Sequence, residues 1–195
     1  MLEPHPNEGE LVAQSRRGDG IAFGVLVEHY QDAVFNLAMR MTGNREDAGD
    51  VVQDAFLNAF RKIHSFEERA SFATWLYRIT VNQSMTVHRK AARREHVSLN
   101  AGEDDGPASG IAGNSEPPGK RLEHADDLRV VERALAELDA EHRAVVLLRD
   151  MEGLDYSQIA DATGCSVGTV KSRLHRARLE LREKVNRAMA RGGKK

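Results

Sequence analysis

Only one cysteine, Cys165, occurs in the 195 residues, so neither an intrachain disulfide nor a CxxC zinc site can be built. Aromatic side chains are scarce, at 5%, and no run of β-branched residues bounded by turns appears. A sheet therefore has no segment to stand on, and an all-α fold is expected. No apolar run approaches the ~20 residues of a membrane span, which excludes helical insertion in a bilayer. The N-terminus also lacks a signal-peptide pattern, so the cytoplasm is the expected location. The eight histidines are scattered, and no nucleophile, general base or metal-ligating constellation stands out. The chain is expected not to be an enzyme, and no cofactor or metal is implied.

What the sequence does have is charge, sorted by region. The net charge of -2 would argue against a nucleic-acid partner if it were spread evenly. It is not. From Ser166 to Lys195 there are ten basic residues against Glu180 and Glu183, and Arg89, Lys90, Arg93 and Arg94 stand against Glu95 alone. Arg45 to Asp54 is the reverse, with four acids and one base.

Residues 97–119 are rich in Gly, Pro, Ser, Asn and Asp and have almost no apolar periodicity, which marks a flexible linker. The expected organisation is thus a helical domain over 8–95, a linker over 96–125 and a second helical domain over 126–191. About 30 linker residues could span ~100 Å when extended, enough for the two modules to dock far apart. In the first domain the pattern predicts helices at about 9–17, 21–41, 45–63 and 72–92, with Thr42-Gly43-Asn44 as a stop and Ser71 as a cap. In the second it predicts helices at about 126–137, 139–151, 156–162 and 167–190, with Asp155 and Ser166 as N-caps and Gly153 and Gly164 as stops.

The last two helices and their glycine-containing turn have the layout of a DNA-reading helix-turn-helix. At 100° per residue, Val167, Val170, Leu174, Ala177, Leu181 and Val185 form one apolar stripe. The opposite face carries Gly168, Ser172, His175, Arg176 and Leu179, flanked by Thr169 and Lys171. A basic amphipathic helix can also be a merely solvated face; the preceding helix, turn and cap favour groove entry. Cys165, in the turn, reads most simply as a small packing residue.

Two helices of the first domain carry a second signal. On the helix predicted at 45–63, Ala48, Val51, Val52, Ala55, Phe56, Ala59 and Ile63 face inward, while Glu46, Asp50, Gln53, Asp54 and Leu57 face out. Clustered carboxylates often do no more than solvate a face. An acidic rim around an apolar anchor is also a protein-docking pattern, whereas no histidine joins these acids at metal-ligand spacing. On the helix predicted at 72–92, Phe72, Trp75, Leu76 and Ile79 form the expected inner stripe, with Tyr77, Arg78 and Asn82 off it. Trp75 alone fits a core better than a stacking platform. Aromatics interleaved with an amide and followed by a basic run nevertheless suit single-stranded nucleic acid, with Phe66 in the preceding loop as a second candidate for enclosing an extruded base.

Three runs in this order, residues 47–56 (DAGDVVQDAF), 72–82 (FATWLYRITVN) and 167–178 (VGTVKSRLHRAR), resemble the extracytoplasmic-function (group 4) sigma factors of RNA polymerase, and they are spread over nearly the whole chain. The resemblance implies a sigma-2 domain, a linker and a sigma-4 domain. It implies docking on core polymerase, β′ and β, through Asp47, Asp50, Gln53, Asp54 and Leu57, with the β′ coiled coil as the partner of the acidic helix. It implies −10 contacts from Phe66, Trp75, Arg78, Asn82, Arg89, Lys90 and Arg93, with the −10 element held as single strand. The −35 element would be read as duplex by Ser166, Gly168, Thr169, Lys171, Ser172, Arg173, His175 and Arg176. An anti-sigma factor is a further implied partner, and Glu103, Asp104 and Asp105 of the linker would imitate nucleic-acid charge.

The chain departs from the family pattern at three places. Gly49 stands where an acid is frequent, which removes a possible contact and costs about 1 kcal/mol of helix propensity, while Thr86 stands where Asp is frequent and His175 where an aromatic is common, which puts promoter preference in doubt but not the resemblance. A DNA-binding regulator with a dimerising or ligand-sensing first domain would share the helix-turn-helix, but would give the Gln53 face and the Phe66/Asn82 region no task. An enzyme with a DNA-binding appendage would need a catalytic cluster in residues 1–95, where none is found.

Overall fold

The computed structural model describes residues 3–68, 70–101 and 121–192, with side chains described over 3–68, 70–90 and 128–190. Among the described residues there are eight α-helices and no strand. The first four are α1 (Glu8–Arg16), α2 (Gly20–Thr42), α3 (Arg45–Lys62) and α4 (Phe72–Ala101), with a 3₁₀ turn at Ile63–Ser65.

Local chemistry sets the ends of these helices. The Asp19 carboxylate accepts from the Ile21 and Ala22 N–H groups at 2.9 and 3.1 Å and starts α2. Gly43, at φ 81°, ends it with its N–H on the Met39 carbonyl. The next residue, Asn44, already caps α3 by accepting from Asp47 N–H at 2.8 Å. A reversal this short needs the left-handed conformation that glycine adopts without penalty. Ser71 accepts from Thr74 N–H at 3.1 Å and starts α4, as expected. Leu26, Tyr30 and Val34 of α2 then bury against Ala55 and Ala59 of α3 and Phe72 and Leu76 of α4. Burial pushes the Tyr30 phenol far above its ordinary pKa, reinforced by its hydrogen bond to Glu8.

The second set is α5 (Arg121–Ala136), α6 (Ala140–Val146), a π-helical turn at Leu147–Met151, α7 (Tyr156–Thr163) and α8 (Val167–Gly192). Asp155 and Gln158 form a reciprocal capping box at the start of α7, Gly164 ends it at φ 68°, and Ser166 caps α8 by accepting from Thr169 N–H at 3.1 Å. The helix expected over 139–151 changes character in its last turn, where Glu152 N–H reaches the Leu147 carbonyl, five residues back, at 3.1 Å.

The two bundles are packed together. Leu37 and Met41 of α2 and Tyr77 and Val81 of α4 share one buried cluster with Leu135, Leu138, Val145, Leu148, Ile159 and Leu174. Tyr77, expected off the inner stripe, is 2% exposed. The reason is that α4 is covered on two sides: Leu76 faces α2 and α3, while Tyr77 and Val81, four residues apart on an adjacent ridge, face α6 and α7. Its burial raises the Tyr77 phenol pKa strongly.

At the seam Arg143 of α6 is 5% exposed and donates to three carbonyls: Met41 of α2, and Ala136 and Leu138 at the end of α5. His88 Nε2 reaches the same Met41 carbonyl at 2.5 Å. Met41 lies in the last turn of α2, where carbonyls have no partner within the helix and the helix dipole favours cations. Burial lowers the Arg143 pKa, opposed by Asp139.

The helices on either side of the expected linker run further than the sequence pattern predicts. Helix α4 continues to Ala101, six residues past the expected end of the domain, and α5 begins at Arg121 instead of about 126. Glu103, Asp104 and Asp105 lie outside the described residues.

Candidate docking and DNA-reading surfaces

On α3 the acids sit as the periodicity required. Glu46, Asp50, Gln53, Asp54 and Leu57 are exposed, and Ala48, Val51, Ala55, Phe56 and Ala59 are buried. Asp47 differs, because its carboxylate accepts from the Asn44 side-chain amide at 2.5 Å and its N–H is held by the same side chain. It belongs to the helix cap as much as to the acidic face.

Leu57 is not an isolated anchor. An open cavity of about 440 Å³ beside it is lined by Gly20, Phe23, Val27, Gln53, Phe56, Leu57 and Phe60. Phe60 and Leu57 are 37% and 46% exposed, so the acidic rim borders an apolar groove. The sequence signal for it was Phe60, one helical turn beyond Leu57, together with α2 residues that no local pattern connects to α3.

Gly49 lies mid-helix on the exposed side of α3, and a Cβ there would meet nothing within 4 Å. Gly49→Ala is expected to stabilise the protein by about 1 kcal/mol, the helix-propensity difference, through a higher urea midpoint at unchanged slope. An unchanged midpoint would mean that the backbone there is already restrained in the unfolded chain.

Four of the expected −10 residues come together. Phe66, Trp75, Arg78 and Asn82 line a cavity of about 640 Å³. Phe66 is 6% exposed, with its ring centroid 5.1 Å from that of Trp75 in a tilted contact and 5.8 Å from that of Phe72 edge-to-face, so it lines the cavity as part of the core. Trp75 is half-buried with its ring against Phe66 and Phe72, while Arg78 and Asn82 are exposed. Arg89 and Lys90 are exposed but do not line the cavity; they lie about two turns further along α4. The Arg93 side chain is outside the described residues. Thr86, at one of the family departures, turns its hydroxyl back to the Asn82 carbonyl at 2.9 Å.

Sequence reasoning missed three contributions to this cavity. Glu68 and Lys62 bring opposite charges to its rim, and Gln83 adds a second amide beside Asn82. The third comes from the other bundle: Gln158, Asp161 and Ala162 of α7 form one wall, with Gln158 Nε2 donating to Thr74 Oγ1 at 3.4 Å. No sequence pattern could announce a contact across 84 residues.

On α8 the exposed face is Gly168, Lys171, Ser172, His175 and Arg176. Lys171 lies 5.8 Å from the Tyr156 ring, which orients its ammonium from α7. Ser166 and Thr169 are engaged with each other at the helix start, with their hydroxyl oxygens 2.9 Å apart. Arg173 does not stand free: it is ion-paired with Glu141 of α6. Arg178 pairs with Asp150, a hydrogen-bonded contact that raises its pKa and ties α8 to the π-helical turn. Val170, Leu174 and Ala177 are buried as the stripe requires, but Val167, at its end, is 39% exposed. Cys165 is half-buried beside Thr163, whose Oγ1 is 3.2 Å from its sulfur.

Among the described residues no group of three or more His, Cys, Asp or Glu side chains is placed to hold a metal ion, and no helix is long and apolar enough to cross a membrane.

An acidic and apolar face on one bundle, a polar and aromatic cavity beside it and a basic helix-turn-helix on the other are the parts of an RNA polymerase sigma factor, and comparison with known proteins agrees. Residues 26–94 match sigma-70 region 2 and residues 128–181 match sigma-70 region 4. The chain is 34% identical to the ECF RNA polymerase sigma-E factor of Haemophilus influenzae over 182 residues, covering 92% of this chain and 95% of that protein. It is 38% identical to the ECF RNA polymerase sigma-E factor of Escherichia coli K12 over 177 residues, covering 90% and 92%. Among solved structures it is similar to CnrH in complex with the cytosolic domain of CnrY, at TM-score 0.64 and 26% identity over 91% of this chain and 96% of that one. It is also similar to the sigma factor RpoE of Bartonella quintana in complex with the anti-sigma factor NepR, at TM-score 0.64 and 29% identity over 84% and 96%. The chain belongs to the sigma-70 family, and within it to the ECF sigma factors. It binds core RNA polymerase and promoter DNA and directs promoter-specific transcription initiation.

Proposed function

We propose that the three surfaces divide the work of initiation by residue. Asp50, Gln53, Asp54 and Leu57 dock on core polymerase, with Asp47 shaping the start of that face and the Phe23/Phe56/Phe60 groove receiving an apolar side chain of the partner. Phe66, Trp75, Arg78 and Asn82 hold an unpaired −10 base, and Arg89, Lys90 and Arg93 follow the phosphates. The exposed face of α8, from Gly168 to Arg176, reads the −35 duplex, with Ser166 and Thr169 fixing the helix start and Arg173 its seat on α6. Residues 8–95 are then the sigma-2 domain, 96–125 the linker and 126–191 the sigma-4 domain. Melting is driven by binding energy for the opened strand; the chemistry belongs to the polymerase, and this chain acts in the cytoplasm without a catalytic role. The Bartonella relative's complex with an anti-sigma factor supports a partner of the same kind here.

The observation that carries the reading is the cavity, because it gathers two aromatic rings, a guanidinium and an amide where a base needs stacking and edge contacts. Run-off transcription with purified core polymerase tests it: promoter-specific transcripts are expected only when this protein is added, and their absence would sink the sigma-factor assignment to these surfaces. Asp50→Ala combined with Gln53→Ala is expected to weaken core binding by about thirtyfold, each contact being worth on the order of 1 kcal/mol at an interface, while −35 duplex binding is unchanged. Equal core affinity would remove this face from the docking site.

A further inference from the structure

Arg16, the last residue of α1, lies outside the stretch that matches sigma-70 region 2, and nothing above gives it a task. Its guanidinium crosses fifty residues of sequence to the loop that carries the base-capture cavity. One nitrogen donates to the Phe66 carbonyl, another pairs with Glu68 Oε1 at 2.6 Å, and the guanidinium carbon stands 5.7 Å from the Phe66 ring centroid. Both loop residues line the cavity. Glu68 is also the one described non-glycine residue with positive φ, at 57°, a conformation disfavoured for a residue with a side chain and stable only where the surroundings impose it.

We infer that Arg16 is a positioning residue for −10 base selection: it pins the Phe66–Glu68 segment and so sets the shape of the pocket into which the base is extruded. This rests on the base-capture reading of that cavity. The argument from chemistry is that Arg16 engages this loop in three ways at once, at the Phe66 carbonyl, the Glu68 carboxylate and the Phe66 ring. The 3₁₀ turn ends with Phe66 N–H on the Ile63 carbonyl, and the next cap, Ser71, serves α4. Between them lies Glu68, the carboxylate that Arg16 holds. Arginine is suited to that task because a planar guanidinium can donate in two directions and lie over a ring at once, whereas a lysine ammonium is a point charge without a face. Helix α1 is itself held firmly enough to serve as an anchor: Val12 and Ser15 are each 2% exposed, and the Ser15 hydroxyl donates to the Leu11 carbonyl at 2.7 Å.

The separating experiment uses the full chain bound to core polymerase and single-stranded −10 oligonucleotides carrying each of the four bases at the extruded position. The unsubstituted protein is expected to prefer one base. Arg16→Ala is expected to reduce that preference by about tenfold, as befits loss of a charge-assisted tether, with core affinity unchanged. Arg16→Lys is expected to fall between, since it can keep the Glu68 pair but not the rest, and Glu68→Gln, at an exposed carboxylate, is expected to act in the same direction and to add nothing to Arg16→Ala. A uniform loss of affinity for all four bases, or no change, overturns the positioning role, because a structural contribution alone lowers binding without altering choice. Should Arg16→Ala not fold, the base preference of Glu68→Gln decides the matter in the same way. If the unsubstituted holoenzyme shows no base preference at all, the capture reading itself falls and takes this inference with it.

Discussion

Arg143→Ala is expected to cost on the order of 3–5 kcal/mol, a large share of the ~5–15 kcal/mol that holds a typical protein folded. The side chain is 5% exposed and its donors are divided between the bundles, two carbonyls on the α5 end and one on the α2 end. Truncation would orphan buried carbonyls at two helix termini and leave a cavity between them, and each unsatisfied group is worth about 1–3 kcal/mol. Part of the Met41 carbonyl's loss is offset by His88, which remains within 2.5 Å. Arg143→Met separates the causes, since it keeps most of the volume and loses every hydrogen bond.

The measurement is urea denaturation followed by two probes. Trp75 is the only tryptophan and reports the first bundle, while far-ultraviolet circular dichroism reports both. In the unsubstituted protein the two curves are expected to coincide, because one buried cluster spans the seam. In Arg143→Ala the dichroism curve is expected to split, with the C-terminal bundle melting first. Coincident curves shifted by less than about 0.5 kcal/mol, the scale of an ordinary surface substitution, would show that the seam does not depend on this residue.

Arg143 also shows where legibility in the sequence stopped. Helix count, the caps at Ser71, Asp155 and Ser166 and the exposed acids of α3 were all readable, because each depends on residues within one or two turns of one another. The three runs that resemble the sigma factors were readable for the same reason, and the family they point to is the one the chain belongs to. What escaped was everything set by contact between distant segments. Tyr77 read as an outward residue because the period of α4 was taken to serve one core, and it serves two. The ion pair of Arg173 with Glu141 escaped as well, because nothing local announces that partner. Phe66 read as a loop residue able to enclose an extruded base, and its packing against Trp75 and Phe72 of the next helix was not legible. The two domains read as separable on linker length alone, which bounds how far they can part but says nothing of whether their apolar faces match.

That match has a functional consequence that can be measured. Cross-linking α4 to α7 is expected to weaken −10 capture by about tenfold or more while sparing polymerase docking. Thr74 and Gln158 meet at 3.4 Å across the seam, and with Cys165 replaced by serine the pair Thr74→Cys and Gln158→Cys would hold the only thiols. A short, cleavable dithiol reagent would then fix Gln158, Asp161 and Ala162 as a wall of the base cavity. A strand threading past Arg78 and Asn82 needs that space, so the linked holoenzyme is expected to lose about tenfold or more in affinity for a single-stranded −10 oligonucleotide, the equivalent of one stacked base at ~1–3 kcal/mol. Cleavage of the linker in the same sample is expected to restore it, which controls for the substitutions. Core affinity should not move, because Asp50, Gln53, Asp54 and Leu57 stay exposed with the bundles packed. If the linked protein opens promoters as well as the cleaved one, α7 need not leave the cavity for DNA to enter. If no cross-link forms in solution, the bundles do not hold this arrangement before DNA arrives. With the expected result, polymerase can dock on the packed form, but the −10 strand can be held only after the sigma-4 domain has swung off the sigma-2 face.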